Sequence, residues 1–308
     1  MKKILILLIV LIGFSSCKQS KEKKVIVSKK TKYSEIIKND YQLYTPNDKV
    51  NAVLILFGGF PETADDVKRE FKIIDTAKEH NIAVILSNFN QKLWLEENEK
   101  YLLAEKLQNI IIDHNLPTEN IFIGGFSSGG NVSLLISNYI VGMKQFFIDP
   151  KGVFIVDSPI DLVALYKSSE KNIARNFSNP SVQESTWLIK TLGENFGNPK
   201  DSIKEYEEKA IYTYETNTIS NLKKLKRKKI RFYTEPDTLW WKKNRMASYD
   251  QTNAFYIEKL SENLKAKGFE QVEYITTHNK GYRANGKRHP HSWSIIDKSD
   301  FIQWILAK

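Results

Sequence analysis

Residues 121–129 read Ile-Phe-Ile-Gly-Gly-Phe-Ser-Ser-Gly, an apolar run that ends in a serine flanked by two glycines. The apolar residues predict a buried strand, and residues 132–140 follow with helical spacing. The turn between a strand and a helix at this point is so tight that side chains at Gly125 and Gly129 would collide with neighbouring backbone. The segment therefore predicts a strand, a sharp turn that holds Ser127 in a strained conformation, and a helix.

Short apolar runs of the same kind recur along the chain and alternate with amphipathic segments. This alternation is typical of a largely parallel sheet whose strands are joined by crossover helices. The sequence therefore predicts an α/β fold with a mostly parallel central sheet and helices on both faces. The predicted strands cover residues 53–57, 82–86, 121–123, 153–156, 230–233 and 272–276.

Helical spacing of apolar residues predicts the helices between these strands. One helical face carries Val67, Phe71, Ile74 and Ala77 after a candidate N-cap at Thr63. Two further faces contain Leu103, Leu107, Ile110 and Ile111, and Phe301, Trp304 and Ile305. Residues 161–221 interrupt the alternation, and a segment this long should have structure of its own. It is predicted to be a lid-like insertion over the site or a plain surface insertion.

The charge of the chain lies mainly in two segments. The 308 residues carry a formal net charge of +10, and lysine and arginine are concentrated in residues 18–38 and 223–231. Once these segments, Lys2 and Lys3 are set aside, the remainder is net negative. The folded part therefore lacks a generally basic surface, which argues against a nucleic-acid partner.

The N-terminus has the order of a secretory signal, with Lys2 and Lys3, an apolar run over residues 4–14, and Ser15-Ser16-Cys17. The apolar run is too short to cross a membrane as a stable helix. The pattern resembles a bacterial lipoprotein signal, which implies removal of residues 1–16, acylation of Cys17, export, and a membrane anchor in the cell envelope, with the outer membrane favoured. The alternative is an ordinary signal peptide with an incidental cysteine.

This N-terminal interpretation divides the chain into three parts. Residues 1–16 are the signal peptide, residues 17–40 a lipidated, lysine-rich tether, and residues 41–308 the folded domain. Cys17 is the only cysteine, so disulfides, cysteine nucleophiles and zinc-thiolate sites are not expected.

A second glycine-rich segment, Gly58-Gly59-Phe60-Pro61-Glu62-Thr63, follows the predicted strand at residues 53–57. It resembles the His-Gly-Phe-Pro-Glu-Ser loop of many α/β-hydrolases, with Gly58 where that family usually has histidine. Together with the serine turn, the chain from about residue 41 onwards resembles the α/β-hydrolase superfamily and its serine esterase branch. The resemblance implies that Ser127 is a nucleophile and that the N–H groups of Ser128 and Phe60 hold the oxyanion, with Gly59 as the alternative donor. Without that chemistry, both segments would simply be tight turns.

The same resemblance implies the order serine, acid, histidine for a catalytic triad. Thr234-Glu235-Pro236-Asp237 follows the predicted strand at 230–233 and offers two carboxylates, of which Asp237 is preferred and Glu235 is second. Asp157, after the preceding strand, is a third candidate. For the base, His291 in His289-Pro290-His291-Ser292-Trp293 is preferred, with His289 as the alternative.

These residues predict a serine hydrolase that works through an acyl-enzyme, without a metal or cofactor. An esterase acting on a small molecule or an acylated carbohydrate is favoured, with aromatic walls formed by Trp240, Trp241 and Trp293. One alternative is a serine peptidase that holds a substrate carboxylate on Arg283, Lys287 and Arg288. Another is a binding protein that keeps the fold without turnover.

Overall fold

The computed structural model describes residues 33–89 and 92–307. The predicted signal peptide, Cys17 and its lipid anchor lie outside these residues. Among the residues described, no helix is both long and apolar enough to cross a membrane.

The centre of the domain is an eight-stranded sheet in the order β1-β2-β4-β3-β5-β6-β7-β8. β2 runs antiparallel to both of its neighbours, and all other pairs are parallel. The six predicted strands are confirmed as β3 to β8. The strands are β1 (Tyr33–Ile37), β2 (Tyr41–Pro46), β3 (Ala52–Phe57), β4 (Ile82–Ser87), β5 (Ile121–Phe126), β6 (Pro150–Val156), β7 (Lys229–Thr234) and β8 (Gln271–Thr276).

β1 contradicts the prediction that the tether extends to residue 40. Its residues pair with β2 from Tyr33 opposite Pro46 to Ile37 opposite Gln42. Tyr33 and Ile36 are half-buried and pack against opposite faces of the sheet, while the other three residues are exposed or carry polar side chains. The sheet therefore begins at least eight residues before the predicted domain boundary, because pairing with β2 stabilises a segment most of whose side chains are exposed.

Helices cover both faces of the sheet, as predicted. Alternate residues of β3 enter different cores: Val53 packs with α3, α4 and α9, and Leu54 packs with α1, α2 and α10. The helices are α1 (Ala64–Phe71), α2 (Ile74–Glu79), α3 (Glu97–Asp113), α4 (Ser128–Gly142), α5 (Leu162–Arg175), α6 (Asn179–Phe196), α7 (Ile203–Lys209), α8 (Thr238–Arg245), α9 (Asn253–Ala266) and α10 (Lys298–Leu306).

The predicted helix after Thr63 is confirmed at its start and wrong at its end. Thr63 caps α1 in a capping box with Asp66, whose carboxylate accepts the Thr63 N–H at 2.8 Å. The helix then stops at Lys72, which adopts a left-handed conformation with φ 52°, and α2 begins two residues later. The apolar face therefore continues across two short helices rather than one.

The insertion at 161–221 contains α5, α6 and α7 and has a small core of its own, as its length predicted. Asp161 caps α5 by accepting the Ala164 N–H at 2.9 Å, and it also accepts the Tyr214 N–H at 2.8 Å. Its burial raises the pKa of Asp161 to about 6. One carboxylate thus ties the start of the insertion to its later part. The members of the insertion core are Leu162, Val163, Tyr166, Leu192, Phe196, Tyr206 and Ala210.

Candidate active site

Ser127 occupies the turn between β5 and α4 with φ 53° and ψ −128°. This conformation is rare for a residue other than glycine and indicates strain held by the surrounding structure. A Cβ on Gly125 would come within 3.0 Å of the Gly129 backbone, and one on Gly129 within 3.0 Å of the Phe57 carbonyl. The sharp turn predicted from the sequence is therefore confirmed, and it presents Ser127, half-buried, at the first turn of α4.

His291 pairs with Asp157, and its Nδ1 lies 2.6 Å from Asp157 Oδ2. Asp157 directly follows β6 and is buried, with φ 46°. β6 lies beside β5, and the Ser127 N–H donates to the Val156 carbonyl at 2.9 Å. The His291 ring lies 4.3 Å, between centroids, from Phe126. The sheet thus brings the serine, the carboxylate and the histidine to the same edge.

The structure does not place Asp237 at the histidine, so the preferred pairing is wrong and the third candidate, Asp157, takes its position. Asp237 Oδ1 accepts the Trp240 N–H at 2.9 Å at the start of α8, and its Oδ2 lies 2.7 Å from Arg288 Nη2. Its carboxylate is thereby turned towards the loop that precedes His291. Asp237 holds this loop rather than the imidazole.

Glu235, the second candidate, is also directed to this loop. It is buried, forms an ion pair with Arg288, and its Oε2 accepts from the N–H groups of Lys280 and Gly281 at 2.8 and 3.0 Å. Thr277 Oγ1 donates to the same oxygen at 2.9 Å. Glu235 therefore organises residues 277–288, and with them the approach of the chain to His291.

The loop after β3 lies against the serine turn. A Cβ on Gly59 would be 2.9 Å from the Ser127 Cβ, and the Phe60 N–H donates to Ser128 Oγ at 3.0 Å. The Gly59 N–H is occupied, since it donates to Glu62 Oε2 at 2.9 Å. Ser128 is the first residue of α4, where backbone N–H groups have no partner within the helix. An oxyanion would displace a rotatable hydroxyl from the Phe60 N–H but a carboxylate from the Gly59 N–H, so Phe60 and Ser128 are better placed than Gly59 to bind it.

Glu62 is a residue of this region that sequence reasoning did not single out. Its Oε2 also accepts from Trp293 Nε1 at 3.2 Å, and burial raises the pKa of its carboxyl group. Trp293 is fully buried and stacks on Phe71 at 4.6 Å, so its prediction as a wall of the substrate site is wrong. Glu62 braces the loop that begins at Gly58, where many members of the resembled family have histidine. In the sequence, the position of Glu62 directly after Pro61 in this loop was the signal that could have identified it.

A cavity of about 250 Å³ opens beside Ser127 and Ser128. Trp187 of α6 stacks on Phe60 with 5.3 Å between ring centroids and an interplanar angle of 14°. The insertion thus forms one wall of this cavity, which places it where a lid was predicted. The other apolar lining residues are Leu93, Trp94, Pro159, Leu165 and Leu188.

His289 lies beside His291 without pairing with a carboxylate. Its Nδ1 accepts the His291 N–H at 3.2 Å, which leaves its ring proton on Nε2. Its ring contacts Trp240 at 4.6 Å and Trp241 at 6.0 Å, between centroids. Burial, followed by the neighbouring His291, lowers the pKa of His289 to about 3. His289 is therefore neutral near pH 7 and belongs to an aromatic wall formed with the two tryptophans.

Replacing His289→Gln is expected to flatten the pH dependence of stability in mild acid. In the wild type, the unfolded chain binds a proton near the ordinary pKa of 6.5, whereas the folded chain resists it until about 3. The free energy of unfolding should therefore fall as pH decreases from 6.5 towards 3, and glutamine removes this component. Thermal unfolding across this range, with the exposed His80→Gln as control, measures the slopes. Equal slopes in all three proteins would contradict the burial of a neutral His289.

No protein-family model and no curated protein matches the sequence. Solved structures do match. The Francisella virulence factor BioJ superposes with a TM-score of 0.55 at 17% identity, covering 90% of this chain and 84% of that one. An esterase of Pyrobaculum calidifontis gives 0.53 at 13%, covering 90% and 85%. An alpha-beta hydrolase of Vibrio vulnificus gives 0.50 at 15%, covering 89% and 80%.

This chain has the α/β-hydrolase fold. The mostly parallel sheet and the helices on both of its faces agree with the fold predicted from the sequence. The matches cover about 90% of this chain, and at these identities the likeness establishes the fold and not the chemistry of the site.

Proposed function

We propose that the protein is a serine hydrolase that cleaves carboxylic esters through an acyl-enzyme. The observation that carries this proposal is the pair formed by His291 and Asp157, 2.6 Å apart, beside a strained Ser127 at the head of α4. A serine, a histidine and a carboxylate arranged in this order are the groups that acyl transfer requires. A protein that only binds a ligand would gain nothing from the strain at Ser127.

In the proposed reaction, His291 Nε2 takes the proton of Ser127 as the serine oxygen attacks the ester carbonyl carbon. The carbonyl electrons move to oxygen, and the N–H groups of Phe60 and Ser128 bind this oxyanion. Asp157 keeps the histidine proton on Nδ1 and stabilises the imidazolium. The alcohol leaves with the proton from His291, and water then releases the acid by the same steps.

The cavity beside Ser127 favours a short or aromatic acyl group. Its volume of about 250 Å³ lies just below the roughly 300–1,000 Å³ of pockets that hold drug-sized ligands. Its walls are mostly apolar, and Trp187 closes one side. Next to His291, Trp240 and His289 present aromatic surface suited to a carbohydrate or aryl alcohol. The proposed substrate is therefore a short-chain ester of such an alcohol.

Ester cleavage is favoured over peptide cleavage by the contacts of Arg288. The peptidase hypothesis assigned it to a substrate carboxylate, together with Arg283 and Lys287. In the structure Arg288 is paired with both Glu235 and Asp237. Export and lipid attachment at Cys17 stay predictions from the sequence, and fractionation of cells that express the full chain would test them.

The proposal predicts that p-nitrophenyl acetate and butyrate are hydrolysed, and that the palmitate ester reacts much more slowly because its chain exceeds the cavity. A fluorophosphonate probe should label the native protein, and peptide mass spectrometry should place the label on Ser127. Steady-state rates across the ester series measure the preference for acyl length.

Heat-denatured protein is the control for the label, since its serine lacks the folded site. No label on native protein, or a label on another residue, would rule out the proposed nucleophile. Faster release of p-nitroaniline from peptide anilides than of p-nitrophenol from the acetate would instead favour a peptidase.

A further inference from the structure

We propose that a second cavity, lined by Arg283, binds the phosphate group of a small molecule. Its volume is about 490 Å³, and it lies between the end of α1, residues 280–284 and the start of α10. Four cationic side chains line it: Lys72, Lys280, Arg283 and Lys298. It shares no lining residue with the 250 Å³ cavity beside Ser127, so it is a separate site.

Arg283 is the residue of this cavity that points most directly to an anionic ligand. Its guanidinium lies 5.4 Å from the centroid of the Phe126 ring and is half-buried. Within residues 33–89 and 92–307, no acceptor is within hydrogen-bonding distance of any of its five N–H donors. Burial lowers the pKa of Arg283, and Glu62, Glu70 and Asp157 oppose this only from a distance. Partial removal of a charge from water without protein hydrogen bonds is costly, and a bound oxyanion would provide the acceptors.

The lysines of the cavity are also unpaired. Burial lowers the pKa of Lys298, and repulsion from the positive charge of Lys72 lowers it further, while Asp75 acts in the opposite direction. In the described part of the chain neither of them forms an ion pair with a carboxylate. An anion placed between them would convert this repulsion into attraction.

The two carboxylates that line the cavity are already engaged. Glu70 accepts the Ala284 N–H at 2.8 Å and pairs with Arg69. Asp297 accepts the N–H groups of Ser299 and Asp300 at the start of α10, at 3.0 and 3.1 Å. They fix the walls of the cavity and leave its cations without a partner.

The donor set fits a phosphate group better than a carboxylate. A guanidinium fork binds two oxygens of one phosphate, and lysine ammonium groups add point charges around it. A phosphate monoester is close to doubly charged at neutral pH and has three acceptor oxygens. The cavity exceeds the volume of phosphate alone, so the ligand is a phosphorylated small molecule. Phe126 directly precedes Ser127, and its ring centroid lies 4.3 Å from that of His291. A ligand bound to Arg283 in this cavity would therefore affect the active site through Phe126.

Calorimetric titration of inorganic phosphate into the full chain, at constant ionic strength, tests the proposal. We expect one site per chain. Arg283→Gln should weaken it about tenfold or more, because each charge-assisted hydrogen bond lost costs at least that factor. Lys298→Gln should weaken it as well. Lys223→Gln, which removes an exposed cation outside the cavity, should leave the affinity unchanged.

Several outcomes would overturn the proposal. They are the absence of phosphate binding, equal affinity in all four proteins, or tighter binding of acetate than of phosphate. Circular dichroism shows whether each variant is folded. If Arg283→Gln does not fold, Lys298→Gln against Lys223→Gln decides the question alone. None of these outcomes depends on ester hydrolysis, so the cavity and the proposed activity are tested separately.

Discussion

Asp157→Asn is expected to lower kcat for ester hydrolysis about 10⁴-fold, because an amide at this position stabilises the wrong tautomer of His291. Ser127→Ala should lower kcat by roughly 10⁶-fold, leaving only what binding and the oxyanion donors contribute. Asp237→Asn should change kcat by less than about tenfold, since it weakens one contact of Arg288, while asparagine Oδ1 can still accept the Trp240 N–H and cap α8. Initial rates with p-nitrophenyl acetate measure all three.

Asp237→Asn is the matched control, because it makes the same chemical change at the other candidate acid. Thermal unfolding of each variant separates a lost catalytic group from a lost fold. A larger kcat loss for Asp237→Asn than for Asp157→Asn, in folded protein, would show that the catalytic acid is Asp237, after β7. The pairing of His291 with Asp157 at 2.6 Å would then not be the catalytic one.

The error over the acid has a specific structural origin. β6 and β7 are neighbours in the sheet, so carboxylates after either strand reach the same edge. Which of them meets His291 depends on side-chain direction, and this is set by the positive φ of Asp157 and by the contact of Asp237 with Arg288. Neither feature leaves a local sequence pattern. The serine turn does, because the glycines that it needs flank Ser127 in the chain.

Long-range contacts explain what else was missed. The stack of Trp187 on Phe60 joins the insertion to the loop after β3, and no periodicity relates two residues so far apart in the sequence. β1 was not predicted because most of its residues are exposed. An edge strand can form with little burial when its neighbour supplies the hydrogen bonds. The central strands β3 to β6 are almost wholly buried and therefore appear largely as apolar runs, which is why they could be predicted.

Gly129→Ala is expected to destabilise the protein by at least about 3 kcal/mol or to prevent folding. The new Cβ would lie within 3.0 Å of the carbonyl oxygens of Phe57 and Gly58, which are backbone atoms and cannot rotate away. The end of β3, the loop that carries Phe60, and the turn at Ser127 would have to separate. For a domain of this size, a loss of about 3 kcal/mol corresponds to a fall in Tm of about 5 °C. Thermal unfolding followed by circular dichroism measures it.

Gly142→Ala in the same helix provides the control. A Cβ there would meet the Lys224 side chain at 3.4 Å or more, and this flexible chain can move aside. Alanine is also favoured over glycine in a helix by up to about 1 kcal/mol, so Tm should stay constant or rise. If both variants unfold at the wild-type temperature, the loop after β3 does not press on the head of α4, and the oxyanion donors proposed at Phe60 and Ser128 lose their support. A fall in Tm confined to Gly129→Ala would show that the serine turn depends on contact between two segments distant in the chain.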